Sequence, residues 1–163
     1  MDDTDRRHLI RCVDLAEAAL NSDNDPFGSV LVAADGTVLR EDHNRTAGGD
    51  ETRHPEFELA RWAAEHVTPA DRATATVYTS GEHCAMCSAA HAWVGLGRIV
   101  YAGSTTQLVA WRKSFGAAPG PVTALPIQAV APGIAVDGPE PSLSGRLEAL
   151  HRRRHETVKA RGH

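Results

Sequence analysis

The sequence predicts an α/β protein: a three-layer α/β/α sandwich around a mixed sheet, formed as one domain over residues 1–163. Three observations carry the prediction. An amphipathic helical segment is followed by two β-rich runs that flank Ala34-Asp35-Gly36, a hairpin signal. From residue 54 onward, helical and β-branched stretches alternate as helix, strand, helix, strand, which calls for helices on both faces of a sheet. A chain of 163 residues is also long enough to bury its own core.

The elements follow in order. Residues 4–20 place Leu9, Val13, Ala16 and Leu20 at i, i+4, i+7 and i+11, the stripe of an amphipathic helix that Thr4 or Asp5 can cap. The polar cluster 21–26 is a turn. Residues 27–33 and 37–40 read as strands. Asp35-Gly36 between them supplies the positive φ that a tight hairpin needs. After the loop Ala47-Gly48-Gly49-Asp50, a second helix runs from about 54 to 67. Pro55 suits its first position, Ala60, Ala63, Ala64 and Val67 form its buried stripe, and 68–71 end it. A strand over 74–79, a helix over 84–93 and a strand over 98–102 come next. Leu108, Trp111 and Phe115 recur at helical spacing in 104–115, and 116–121 is a loop. Residues 127–130 and 134–136 are short strand candidates. Ser142 can cap a last helix over about 143–159.

Composition narrows the function classes. The net charge of −4 argues against a nucleic-acid binder, whose domains carry a basic face. No apolar run is long enough to span a bilayer, and the acidic start Met1-Asp2-Asp3-Thr4-Asp5 has no apolar h-region. Three cysteines, two at C-x-x-C spacing, suit a reducing cytoplasm and a metal rather than a disulfide framework. Cys12, among apolar residues, reads as an inert buried thiol.

The chemistry concentrates in Ser80-Gly81-Glu82-His83-Cys84-Ala85-Met86-Cys87, taken with His54-Pro55-Glu56. His54, Cys84 and Cys87 are three zinc-type ligands. Three ligands leave a fourth position open, as in catalytic rather than structural sites. Cys84 and Cys87 are i, i+3 at a helix start, so both sulfurs share one face and the partial positive charge there favours thiolates. Glu56 stands close to a ligand without being needed as one, which makes it the candidate base. Residues two apart do not share a helix face, so His54 and Glu56 converge only because they sit at a helix entrance. His91 shares the face of Cys84 and Cys87 but lies one to two turns down the helix, too far for a metal at its start. It reads as a pocket-lining residue or a dimer contact. His83 reads as a pocket-rim residue or a group supporting a ligand.

These motifs resemble the zinc-dependent cytidine deaminase superfamily, whose signature is H-x-E followed by P-C-x-x-C. Pro26-Phe27-Gly28-Ser29-Val30-Leu31-Val32 and His43-Asn44-Arg45 are similar to segments of its guanine deaminase and free-base deaminase branch. The resemblance covers about 27–102 well and the ends loosely. It implies a five-stranded sheet, a Zn2+ cofactor and a homodimer. It also implies that Asn44 hydrogen-bonds the substrate base, that Phe27 lies against the ring and that Trp93 borders the base pocket. On residue type alone, Phe27 and Trp93 are equally core residues and Asn44 a turn residue. Two positions depart from the pattern. His83 stands where the family has Pro, and Pro55, which has no N–H, stands where a small residue, commonly Ala, is found.

The resemblance implies hydrolytic deamination, with Glu56 moving the proton of an activated water. The expected substrate is a free amino-heterocycle: guanine, cytosine, isocytosine, or a triazine such as 5-azacytosine or ammeline. Some deaminases of this branch use an acidic residue from the C-terminal part as a proton shuttle, for which Asp137, Glu140 and Glu156 are the candidates. Two alternatives stand beside this reading. One is a tRNA adenosine deaminase whose run His151-Arg152-Arg153-Arg154-His155 reaches RNA as a phosphate-binding tail, rather than forming a solvated helix face. The other is a non-catalytic module that zinc stabilises.

Overall fold

The computed structural model describes residues 1–162. Helix α1 (Asp3–Asn21) leads into a hairpin of β1 (Gly28–Val32) and β2 (Val38–His43). Helices α2 (Pro55–His66) and α3 (Pro69–Thr74) precede β3 (Thr76–Gly81). Helix α4 (Ala85–Val94), β4 (Ile99–Gly103) and α5 (Thr105–Ser114) follow. The chain closes with α6 (Ile127–Val130), β5 (Val136–Asp137) and α7 (Ser144–Arg161). The five strands form one mixed sheet in the order β2-β1-β3-β4-β5. β1 pairs antiparallel with β2 and β3, while β3–β4 and β4–β5 are parallel.

Alternating side chains fasten a helical layer to each face. Val30, Val32, Tyr78, Val100 and Ala102 pack with Leu9, Val13 and Ala16 of α1 and with Leu147 and Leu150 of α7. Leu31 and Val77, one residue out of step, pack with Leu59, Ala60 and Ala63 of α2. The predicted three-layer sandwich is therefore the observed one. Cys12 is buried in the first of these cores, as expected. α1 lies so close to β1 that a Cβ on Gly28 would stand 2.5 Å from the Cys12 carbonyl oxygen.

The differences from the sequence reading lie at element ends and in the C-terminal third. Asp2, not Thr4 or Asp5, caps α1, and Asp5 closes the capping box three residues on. β2 runs on to His43, which aligns it with Gly28 and brings Asn44 beside Phe27. Residues 69–74 form a helix capped by Thr68 rather than a bare turn. Residues 127–130 are a helical turn, not a strand, because the Ile127 N–H is taken by the Glu82 carboxylate at 2.9 Å. β5 is the two-residue strand Val136–Asp137, which keeps only Val136 of its expected run. Glu140, not Ser142, caps the 3-10 turn Pro141–Leu143 that feeds α7.

An ion network centred on the buried Asp5 ties the far end of the sheet together. Arg98, just before β4, bonds Asp5 through both terminal nitrogens at 2.9 and 3.0 Å, and Asp137 of β5 through Nε at 2.8 Å. Tyr78 Oη donates to Asp5 at 2.8 Å. Burial alone would raise the Asp5 pKa, but the Arg98 guanidinium, the Asp2 backbone and the Tyr78 hydroxyl outweigh it and hold the carboxyl well below its usual range. A carboxylate held low adds stability above its unfolded pKa of about 4 and loses it as pH falls towards the folded value. Asp5→Ala should therefore cost about 1.5–3 kcal/mol at pH 7 in chemical denaturation, the range for hydrogen bonds to charged groups. The gap to wild type should narrow as pH drops below about 4.

Candidate active site

Two helices begin at one place. His54 is the N-cap of α2, with extended backbone (φ −84°, ψ 140°) ahead of Pro55. Cys84 is the N-cap of α4 (φ −68°, ψ 174°). The helices pack against each other on one face of the sheet, so their N-termini meet where β3 ends. His54 Nδ1 lies 3.6 Å from Cys84 Sγ and 3.6 Å from Cys87 Sγ. One ligand atom from each of the three residues lies within 4.8 Å of the others, a group that could hold a metal ion. Tetrahedral zinc, with Zn–S of about 2.3 Å and Zn–N of about 2.0–2.1 Å, requires N···S edges of about 3.6 Å. Donor chemistry and spacing both fit zinc.

Backbone amides at the two helix starts point at the sulfurs. The Cys87 N–H donates to Cys84 Sγ and the Phe57 N–H to Cys87 Sγ. The hydrogen bond from the Cys87 thiol, helped by His54 and opposed by burial, brings Cys84 down to about 4. The same contact, with burial, pushes Cys87 well up. The Cys84 hydrogen bond raises His54. Without a cation the group thus keeps protons that a divalent metal displaces.

Glu56 stands at the second helical position of α2, buried beside the sulfurs. Its Oε1 accepts from Thr79 Oγ1 at 2.7 Å, and its Oε2 lies 3.9 Å from Cys87 Sγ. Ser29 Oγ in turn donates to Thr79 at 2.9 Å, so a hydroxyl chain across β1 and β3 fixes the carboxylate. Burial is the main influence on Glu56 and raises its pKa, against the Thr79 hydrogen bond and the His54 charge. The sequence reading missed Thr79. Its signal was positional: a polar residue near the end of the strand that delivers the ligand turn.

Phe27 and Asn44 are joined where β1 begins and β2 ends, the Asn44 N–H donating to the Phe27 carbonyl at 2.9 Å. A Cβ on Gly81 would stand 2.9 Å from Phe27 Cε1, so the ring occupies the space that glycine leaves. Asn44 is buried, and its Oδ1 accepts from the Thr46 N–H at 3.1 Å and the Thr46 hydroxyl at 2.8 Å. With the acceptor engaged, the amide NH2 is its remaining hydrogen-bonding group.

Several expectations need correction. Trp93 is 90% exposed at the end of α4, so it is not a core residue. His83 is fully buried rather than on a rim, with neither ring nitrogen hydrogen-bonded. His91, expected as a pocket-lining residue or a dimer contact, is buried within the chain. Its Nε2 meets the Gly97 carbonyl at 2.7 Å, and its ring packs edge-on against His83. Asp137 pairs with Arg98 just before β4, away from the site, and Glu140, whose N–H donates to the Ala102 carbonyl, has its carboxylate engaged by Arg6 and Ser142. Glu156 is exposed. The basic run is neither a free tail nor a merely solvated face. Arg154 pairs with Asp23 and Asp25, Arg153 bonds Asn21, and Arg152 pairs with Glu148 and lies over the Phe115 ring.

Residues 2–103 match the cytidine and deoxycytidylate deaminase zinc-binding region. The chain is 29% identical over 119 residues to a probable cytosine deaminase of Schizosaccharomyces pombe, covering 73% of this chain and 72% of that one. It is 36% identical over 87 residues to a tRNA-specific adenosine deaminase of Agrobacterium fabrum, covering 53% and 57%. A solved guanine deaminase from Nitrosomonas europaea superposes with a TM-score of 0.70 at 23% identity, over 91% and 83% of the two chains. The fold and site define a zinc-dependent deaminase, a hydrolase of C–N bonds. The chain belongs to the cytidine and deoxycytidylate deaminase family.

Zinc loading of the metal-free protein near pH 7 should release protons, the Cys87 thiol among their sources, and tighten as pH rises. Calorimetry in buffers of different ionisation enthalpy reads the number directly.

Proposed function

We propose that the protein deaminates a free nucleobase or related amino-heterocycle by hydrolysis, with His54, Cys84 and Cys87 holding the zinc and Glu56 as the catalytic residue. The observation that carries the reading is the Glu56 carboxylate, buried, oriented by Thr79 and next to a three-ligand metal group. Zinc bound there lowers the pKa of a water towards neutrality and so provides a nucleophile. Glu56 takes the proton of that water and gives it to the ring nitrogen beside the amine-bearing carbon. It next takes the remaining hydroxyl proton and passes it to the leaving amine. The water oxygen bonds to the amine-bearing carbon, and the C–N bond to the amine then breaks as that C–O bond becomes a carbonyl, so ring amidine and water become a cyclic amide and ammonia. A raised pKa suits a group that accepts and returns protons near neutrality.

Phe27 offers the ring an apolar face, and Asn44 offers it a donor. A donor at this edge selects a heterocycle that presents a carbonyl or an unprotonated ring nitrogen, as guanine and cytosine both do. A free base fits better than RNA because the net charge is −4 and Arg152, Arg153 and Arg154 all serve intramolecular contacts. A catalytic role for Glu56 separates this reading from a zinc-stabilised binding module. Three free thiols, one of them held low, suit a reducing cytoplasm. No helix among the described residues is long and apolar enough to cross a membrane.

A second copy of the chain is the partner that Trp93 fits. Ala85, Met86, Ala89 and Trp93 recur at helical spacing along α4 and are half-buried or exposed. Small residues let two such helices approach closely about a two-fold axis, and the indole would then border the neighbouring site.

Glu56→Gln should retain one zinc per chain and its fold while kcat falls by about 10²–10⁴-fold or more. Retained turnover would sink the mechanism. Trp93→Lys should move the protein from dimer to monomer in light scattering, whereas an unchanged mass places the interface elsewhere.

A further inference from the structure

The basic run of α7 has no part in the mechanism above, yet its contacts lead to the substrate platform. α7 lies along α1 on the sheet face opposite α2 and α4. Arg146 pairs with Asp14 and Glu17 near its start. Further along, α7 passes the end of α1 and reaches the turn that leads into Phe27. Arg154 holds that turn twice, through Asp23 at 3.1 Å and Asp25 at 2.8 Å. Arg153 bonds Asn21 Oδ1 at 2.8 Å, and Arg161 adds a second contact to Asp23. Asp23 adopts a left-handed backbone (φ 67°), a turn conformation that Asp enters more readily than most residues.

One turn before Arg154, the same helix reaches Phe27 itself. The His151 ring lies 5.1 Å from the Phe27 ring, centre to centre, at a 60° tilt. Trp111 of α5 backs His151 at 6.1 Å. His151 is 7% exposed and has no hydrogen bond among the described residues, and its ring contacts are the aromatic ones. Burial, with Arg112 nearby, pushes its imidazole down to about 3, which keeps the ring neutral. Phe27 is thus bounded by Gly81 on one side, where a Cβ would not fit, and touched by His151 from α7. Its backbone is tied to Asn44 and to a turn that α7 grips.

We propose that α7 is a positioning clamp for the substrate ring: Arg154 fixes the Asp23–Asp25 turn and His151 fixes the Phe27 ring, so the C-terminal helix sets the slot in which the heterocycle lies. This deepens the proposed function and rests on it for the identity of what Phe27 touches. Neither residue reaches the metal group, so both are positioning residues. Their loss should appear in substrate binding rather than in the chemical step.

The test uses the full-length, zinc-loaded chain with 4-fluorophenylalanine at its three phenylalanines, Phe27 being assigned from a Phe27→Leu variant. In Arg154→Ala and His151→Ala the Phe27 fluorine resonance should shift and broaden, and His151→Tyr, which adds no labelled ring, should restore it. With whichever of guanine or cytosine the wild type turns over, KM should rise roughly 3- to 15-fold in the two alanine variants, the size expected of an aromatic contact. kcat should stay within about 3-fold, with zinc at one per chain. An unmoved Phe27 resonance overturns the clamp, and a moved resonance with unchanged KM overturns its link to substrate. Loss of zinc and kcat at constant KM shows general unfolding and also overturns it. If the wild type acts on neither base, the functional reading fails on the kinetic arm, while the fluorine arm still decides whether α7 fixes Phe27.

Discussion

Everything at the site depends on two helix N-termini meeting at the end of one strand. A helix start presents unpaired N–H groups and partial positive charge. Here one start carries His54 and Glu56, the other Cys84 and Cys87, and their amides point at the sulfurs. That field lets anionic sulfur exist in a half-buried place. The N···S distances of 3.6 Å match the edges of a tetrahedral zinc site. The sheet makes the meeting possible. β1 and β3 lie antiparallel side by side, so the start of β1, with Phe27 before it, and the end of β3, with the ligand turn after it, are neighbours.

The same junction explains why the carboxylate is where it is. Glu56 is only two residues from a ligand, and inside a helix it would point elsewhere. Because His54 is still extended and α2 begins at Pro55, the side chain turns back towards Cys87 and meets Thr79. The Ser29–Thr79–Glu56 chain sits where two central strands pair, in a rigid part of the molecule. Glu82 does comparable work one step out. Its carboxylate accepts the first N–H groups of α5 and α6 and anchors the C-terminal segments to the site end of the sheet. Order at the site therefore comes from strand ends and helix starts rather than from loops.

Much of this was legible in the sequence, for physical reasons. The H-x-E and C-x-x-C spacings encode local geometry, a cap and one helical turn, so the ligand set and its neighbour Glu56 could be read without a structure. Alternating β-branched segments and helical stripes gave the three layers from Phe27 to Ala102. The misses involve contacts between residues far apart in the chain. The turn at Ile127 is helical because Glu82 caps it from 45 positions away. Glu140 looked available as a proton shuttle, but its carboxylate is engaged by Arg6, 134 positions away, and by Ser142. The arginines of α7 looked like an RNA-facing tail because their partners, Asn21, Asp23 and Asp25, belong to a distant turn. Trp93 looked half core by residue type, and only the fold shows that its helix face is left uncovered. His83 remains without an account: it is buried, and neither ring nitrogen is hydrogen-bonded.

The central claim is that a buried, oriented carboxylate beside a three-ligand zinc site serves a free base. The most direct measurement is ammonia release by the zinc-loaded chain offered guanine, cytosine, isocytosine, 5-azacytosine, ammeline, adenine, cytidine and a tRNA anticodon stem in parallel. The account predicts steady turnover of one or more free bases carrying a carbonyl or ring-nitrogen acceptor, and none of the tRNA stem. Release from the tRNA stem alone, or no release from any compound with zinc verified in place, would contradict it.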